Sequence, residues 1–193
     1  MTDSHTPSTH VRHVEVAIAG AGFGGLCMAI KLQEAGITDY VILEKGNEMG
    51  GTWRDNHYPG AACDVQSHMY SYSFATSAKW TKRYAPWNEI QQYILDVTRQ
   101  YNVRPKVRFN QEVVSAVFND GTGRWTVKTA GGETYICRHW ILASGPLHVP
   151  AKPNIKGMDQ FQGKVMHSAE WDHHYDLTGK RVVMRVDFNV PIK

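Results

Sequence analysis

Between Val14 and Glu44 the chain reads VEVAIAGAGFGGLCMAIKLQEAGITDYVILE, an order of residues that few folds accommodate. Val14 to Ala19 is an apolar run rich in β-branched side chains, which suits a strand buried in a parallel sheet. Gly20, Gly22 and Gly25 follow in G-x-G-x-x-G spacing. A helix is predicted next, with Leu26, Ala29, Ile30, Leu32 and Ala35 on its apolar side and Gly36 ending it. A second apolar run, Tyr40 to Leu43, leads to Glu44, nineteen positions beyond Gly25. A glycine triplet alone is weak evidence, because turns use glycine freely. Strand, glycine turn, helix, strand and acid together supply the context of a dinucleotide-binding unit.

Each part of that unit has a physical task. Gly20 makes the tight turn, Gly22 lets backbone approach a pyrophosphate, and Gly25 lets the helix pack closely. Phe23 sits within the same turn. The exposed N–H groups and the positive dipole end of the helix favour phosphate. Glu44 is placed to accept hydrogen bonds from ribose hydroxyls.

The 193 residues suffice for one good core or one and a half domains. A formal charge of +3, without a lysine or arginine run, gives no footing for nucleic acid or an anionic membrane. Cys27, Cys63 and Cys137 are odd in number and contain no C-x-x-C pair, which argues against a disulfide framework and against a zinc site. This cysteine usage fits a reducing compartment, so a cytoplasmic location is expected. Residues 1–13 are polar and lack the apolar core of a signal peptide, and they read as a frayed tail. No apolar run reaches the length of a membrane span.

From Lys45 to Trp87 periodicity fades while glycine and aromatic content rise, the mark of a long functional loop. Gly50 and Gly51 allow close backbone approach. Trp53, Tyr58, Tyr70, Tyr72 and Phe74 offer flat walls for a planar ring, or simply fill core. Asn88 to Val103 reads as an amphipathic helix capped by Asn88 with Gln91 at the third position. Short strands around Glu112 to Phe118, Arg124 to Thr129 and Glu133 to Cys137 form an antiparallel meander. Trp140 to Ala143 is predicted as a separate buried strand returning to the parallel sheet, followed by Ser144-Gly145-Pro146.

With these pieces placed, the chain resembles the class B flavoprotein monooxygenases, specifically the Baeyer–Villiger monooxygenases. The segment GGTWRDNHYPGAACD (Gly50 to Asp64) is similar to that family's GG-x-W-x-x-N-x-YPG-x-x-x-D, and Ala143-Ser144-Gly145 to its small-residue signature. Phe161, Gly163, His167, Trp171 and Asp172 reproduce the fingerprint F-x-G-x-x-x-H-x-x-x-W-[PD] at every fixed position. The resemblance spans about residues 14–183. It implies an α/β, Rossmann-like FAD-binding domain over residues 14–150, with a parallel sheet and a small antiparallel meander. Residues 151–178 would be a linker carrying the fingerprint.

Such enzymes bind FAD, reduce it with NADPH and use oxygen to convert a ketone to an ester or lactone. By resemblance, Gly51, Thr52, Trp53, Asp64, Tyr70 and the backbone of Val113 join Gly20, Gly22, Phe23, Gly25 and Glu44 as FAD contacts. Asp64 corresponds to an active-site aspartate that places an arginine beside the flavin. His167 would couple nicotinamide binding to domain movement rather than transfer a proton. A non-catalytic FAD-binding module would share the same first half.

The resemblance breaks after Val182. The family continues into a second G-x-G-x-x-G, the NADPH cradle, whereas VVMRVDFNVPIK contains no glycine, so the second nucleotide domain is expected to be absent. Gly179 to Pro191 instead resembles the N-terminal signature of phosphoglycerate kinase, with Asp187 and Asn189 at its 3-phosphoglycerate positions. A join between the two is expected near Gly179, with residues 179–193 a truncated or foreign strand. Kinase activity is not expected from so short a stretch, because phosphoryl transfer needs the whole two-domain clamp. Val182 to Val186 is expected to leave an unpaired strand edge.

Overall fold

The computed structural model describes residues 11–147 and 149–184. Six strands form one sheet: β1 (Val11–Ala19), β2 (Tyr40–Leu43), β3 (Val107–Arg108), β4 (Val113–Asn119), β5 (Arg124–Thr129) and β6 (Thr134–Leu142). Three helices accompany them: α1 (Phe23–Glu34), α2 (Thr52–Asp55) and α3 (Trp87–Gln100). The strand order is β3-β2-β1-β6-β5-β4. The pairings β1–β2, β1–β6 and β2–β3 are parallel, whereas β4–β5 and β5–β6 are antiparallel. This is the predicted α/β arrangement, a parallel nucleotide half continued by a meander.

Alternation along β1 divides the core into two clusters. Val16 and Ile18 join Leu26, Ala29 and Ile30 of α1 and Ile90, Ile94 and Val97 of α3. Ala17 instead joins Val41, Leu43, Val127, Tyr135 and Cys137. Ile18, Leu26, Ile30 and Ile42 are fully buried, and burying each such side chain contributes about 1.5–3 kcal/mol. β1 and β2 therefore stand rigidly beneath the turn that joins β1 to α1.

Three expectations are corrected and one strand is added. First, β1 begins at Val11, inside the stretch expected to fray, because Val11 to His13 pair with Thr134 to Ile136. Met1 to His10 lie outside the described residues. Second, β6 is one continuous strand where two were expected. Its first part pairs with β5 on one side while the whole strand pairs with β1 on the other, so exposed Arg138 and His139 do not interrupt it. Its last residues are not buried, and Leu142 is 71 % exposed.

Third, α3 starts at Trp87 with Pro86 in the capping position, not at Asn88. The Trp87 N–H donates to the Ala61 carbonyl at 3.0 Å, which anchors the chain one residue earlier. Gln91 does not close a capping box but donates to the Met49 carbonyl at 2.8 Å, tying α3 to the glycine loop. The added strand is the two-residue β3, which was not foreseen.

Residues 151–184 contain two short 3-10 turns, at Met158–Gln160 and Ser168–Glu170, and no strand. Val182, Val183 and Met184 are exposed there, and the rest of the kinase-like stretch lies outside the described residues.

Candidate functional site

The β1–α1 turn is dictated by its glycines. Gly20 has φ +96°, and a Cβ there would lie 2.5 Å from the Ala143 carbonyl oxygen at the end of β6. A Cβ on Gly25 would lie 1.9 Å from the Gly20 carbonyl oxygen, so the first turn of α1 closes onto the glycine turn itself. No side chain caps α1 at Gly22. That leaves a helix N-terminus, with its positive dipole end, at the floor of an open space.

The space is a cavity of about 470 Å³. Gly20, Gly22, Phe23 and Gly24 line it on one side, Glu44 at the end of β2 on another, and Gly51 to Asp55 on a third. Tyr70, Gln111 to Val113, and Trp140 with Leu142 to Pro146 complete the wall. The exposed end of β6 thus belongs to the cavity, and Ala143-Ser144-Gly145 stands beside the glycine turn.

The aromatic wall is built by mutual packing. Phe23 meets Tyr70 edge-on at 5.2 Å, and Trp53 meets Tyr70 edge-on at 5.6 Å while its Nε1 donates to the Tyr70 hydroxyl at 3.1 Å. Burial raises the Tyr70 phenol above its usual pKa, partly offset by that hydrogen bond. Tyr72 is held behind the wall, its hydroxyl donating to the Phe23 carbonyl at 2.6 Å. Burial raises its pKa too. Tyr72 and Phe74 pack against the core and do not line the cavity, and neither does Tyr58.

Glu44 is 3 % exposed, deep for a carboxylate, and its partners explain how it stays there. Oε2 accepts the Ala21 N–H at 2.7 Å, and Oε1 accepts the Gly46 N–H and Arg54 Nη1, each at 2.7 Å. Arg54 also donates to the Glu48 carbonyl at 2.7 Å and through Nε and Nη2 to both Asp55 oxygens. Burial works against the Arg54 charge, but the Asp55 hydrogen bond and the charge of Glu44 outweigh it and raise its pKa above the usual value. Arg54 and Gln111 were missed in the sequence. The available signal for Arg54 was a cation ten residues after a buried acid, with a glycine, Gly46, between them.

The sequence-predicted candidates divide between the cavity wall and positions outside it. Gly25 supports the turn from beneath and is not in the cavity wall, whereas Gly20, Gly22, Phe23, Glu44, Gly51, Thr52, Trp53, Tyr70 and Val113 all are. Asp64 is exposed, outside the wall, and in none of the ion pairs among the described residues. The cation that a buried carboxylate would demand there is therefore not required.

The fingerprint residues form a self-contained fold of the chain. A Cβ on Gly163 would strike the Phe161 ring at 2.4 Å, so the glycine admits that ring. His167 Nδ1 accepts the Ala169 N–H at 3.1 Å and caps the Ser168–Glu170 turn. Asp172 accepts Lys164 Nζ at 2.9 Å and the His174 N–H at 3.0 Å. The capped turn lies against α2, and His57 Nδ1 stands 2.7 Å from His173 Nε2 with the two rings stacked. The fingerprint is thereby docked beside the cavity without entering it.

A glycine turn over an uncapped helix, a buried acid after the second strand and an aromatic wall define a dinucleotide-binding oxidoreductase fold. The chain belongs to the pyridine nucleotide-disulphide oxidoreductase family, whose sequence profile matches residues 17–184. Within that class it is similar to a Baeyer–Villiger monooxygenase of Streptomyces coelicolor, 47 % identical over 172 residues, covering 89 % of this chain and 33 % of the relative. Among solved structures it resembles cyclohexanone monooxygenase from Rhodococcus sp. Phi1 bound to NADP+, with a TM-score of 0.80 and 34 % identity over 87 % of this chain and 32 % of that one. It also resembles OTEMO in complex with FAD and NADP, with a TM-score of 0.77 and 32 % identity over 82 % of this chain and 31 % of that one. The chain spans about a third of the length of the relatives it matches. The profile match ends at residue 184, before most of the stretch that resembles phosphoglycerate kinase.

Proposed function

We propose that this chain binds FAD in the cavity over the β1–α1 turn and supplies the flavin-binding part of a Baeyer–Villiger-type monooxygenase. One observation carries the reading: the glycine turn, the α1 N-terminus and Glu44 surround a single cavity with an aromatic wall. The residues present fit the group. The turn closes against β6 and α1 only because Gly20 and Gly25 lack Cβ atoms, which leaves the α1 N-terminus facing the cavity, and Gln111 Oε1 is a buried acceptor without a protein partner in the same wall.

The chain's own residues bind and orient. Backbone N–H groups of the turn and the α1 N-terminus hold the diphosphate, Glu44 accepts from ribose, and Phe23, Trp53 and Tyr70 exclude water beside the ring system. When bound, FAD supplies the oxygen-activating redox chemistry, with NADPH as reductant and a small ketone as substrate. Asp64 remains the proposed active-site acid on the strength of the motif Gly50 to Asp64, although it is exposed and outside the cavity wall. Residues 14–150 form the binding domain and 151–178 the linker. A cytoplasmic setting accords with three free thiols among the described residues, and no helix there is long and apolar enough to cross a membrane.

These 193 residues contain one G-x-G-x-x-G motif, the one proposed here to hold FAD. Calorimetric titration of the purified chain with FAD tests the reading, with one site per chain expected. A chain that takes up no FAD overturns it.

A further inference from the structure

Arg54 is not among the residues through which a dinucleotide is expected to be held, yet it is built into the cavity with unusual thoroughness. Its guanidinium donates to Glu44, to Asp55 and to the Glu48 carbonyl, and its side chain is only 13 % exposed. Room for it exists because residue 46 is glycine. A Cβ there would lie 2.4 Å from the guanidinium carbon.

The consequence appears in the acceptor capacity of Glu44. An ionised carboxylate offers about four lone-pair positions. Gly46 N–H and Arg54 occupy Oε1, and Ala21 N–H occupies one position on Oε2. One position remains, on the oxygen already tied to the glycine turn. Without Arg54 the carboxylate would lose both its cation and one of its three anchors, and the ring of contacts that sets its rotation would open.

We infer that Arg54 is a positioning residue. Through its ion pair it fixes Glu44 so that a single oxygen accepts a single ribose hydroxyl of the bound nucleotide. This rests on the proposed FAD site. It adds that the acid discriminates between the two hydroxyls, and that Arg54 creates the discrimination through its hold on Glu44.

The test compares FAD with two analogues whose adenosine ribose lacks either the 2′ or the 3′ hydroxyl, each titrated into the purified chain. The wild-type chain should bind one analogue about tenfold more weakly than FAD and the other nearly as well. In Arg54→Gln that ratio should fall towards one. Gly46→Ala provides an independent route, because it keeps the charge and displaces the guanidinium, and it should lower the ratio in the same way. Arg54→Lys, which restores charge without the planar fork, should recover only part of it.

A purely structural role would weaken binding of FAD and both analogues alike and leave the ratio untouched. That result in folded Arg54→Gln and Gly46→Ala overturns the inference, as does a wild-type chain that penalises both analogues equally. Failure of the wild-type chain to bind FAD at all overturns the underlying site as well, and so is distinguishable from failure of this inference alone.

Discussion

The glycine cradle and the fingerprint segment are both dense in family-specific residues, but different physics shapes them. In the cradle, β2 and the last four residues of β1 are buried, and the turn is fixed by backbone pressed on backbone, with Gly25 over the Gly20 carbonyl. In the fingerprint segment Phe161 is 60 % exposed, and the shape comes from short-range closures: a ring over a glycine, a histidine cap and the Lys164–Asp172 ion pair. The cradle is specified by tertiary burial, which makes it costly to disturb. The fingerprint is specified locally, which makes it cheap to open and leaves its apolar side chains free of the core.

That contrast predicts large effects in the cradle and small ones in the fingerprint segment. Gly25→Ala should be the most damaging, at about 4 kcal/mol, above the usual overpacking range because neither colliding atom sits on a flexible side chain. Denaturant unfolding should show the loss, and FAD uptake should vanish with it. Ile30→Ala, fully buried between α1 and the sheet, should cost about 3 kcal/mol. The matched truncation Val165→Ala in the linker should stay within about 0.5 kcal/mol, and an equal cost would erase the distinction between the regions.

His167→Ala removes a cap and should weaken the Ser168–Glu170 turn by about 1 kcal/mol. Faster hydrogen exchange at the Ala169 amide, with the cradle amides unchanged, is the expected reading. Spread of that effect into β1 would show that the segments unfold together.

The smallest effect is set by pH. Lys164, and then the His174 N–H, hold the Asp172 carboxyl below its usual pKa. Its value in the folded chain is therefore depressed relative to the unfolded chain. The closure is fully present above the ordinary carboxylate range and is lost as pH falls through the depressed value. Limited proteolysis between residues 164 and 172 should accelerate on acidification, and Asp172→Asn should abolish that pH dependence while leaving global unfolding unmoved.

What could be read in the sequence follows the same division. β1, α1 and β2 were legible because burial imposes periodicity and the turn demands glycine. The continuity of β6 was hidden by Arg138 and His139, which are polar because they are exposed, although their backbones stay in the ladder with β1. The start of α3 was misplaced because a distant carbonyl, that of Ala61, takes the Trp87 N–H, and no local pattern records it. Arg54 was invisible for a similar reason. Its meaning lies in reaching back across ten residues to an acid that only the folded turn brings near.

The two-sided pairing of β6 has a consequence for how the molecule is made. β1 cannot gain one of its two neighbours until the strand from Thr134 to Leu142 has left the ribosome, so the nucleotide half waits on residues far downstream. A nascent chain stalled before residue 134 would present that flank of β1 bare, and would be a substrate for chaperones or for pairing with another copy of itself.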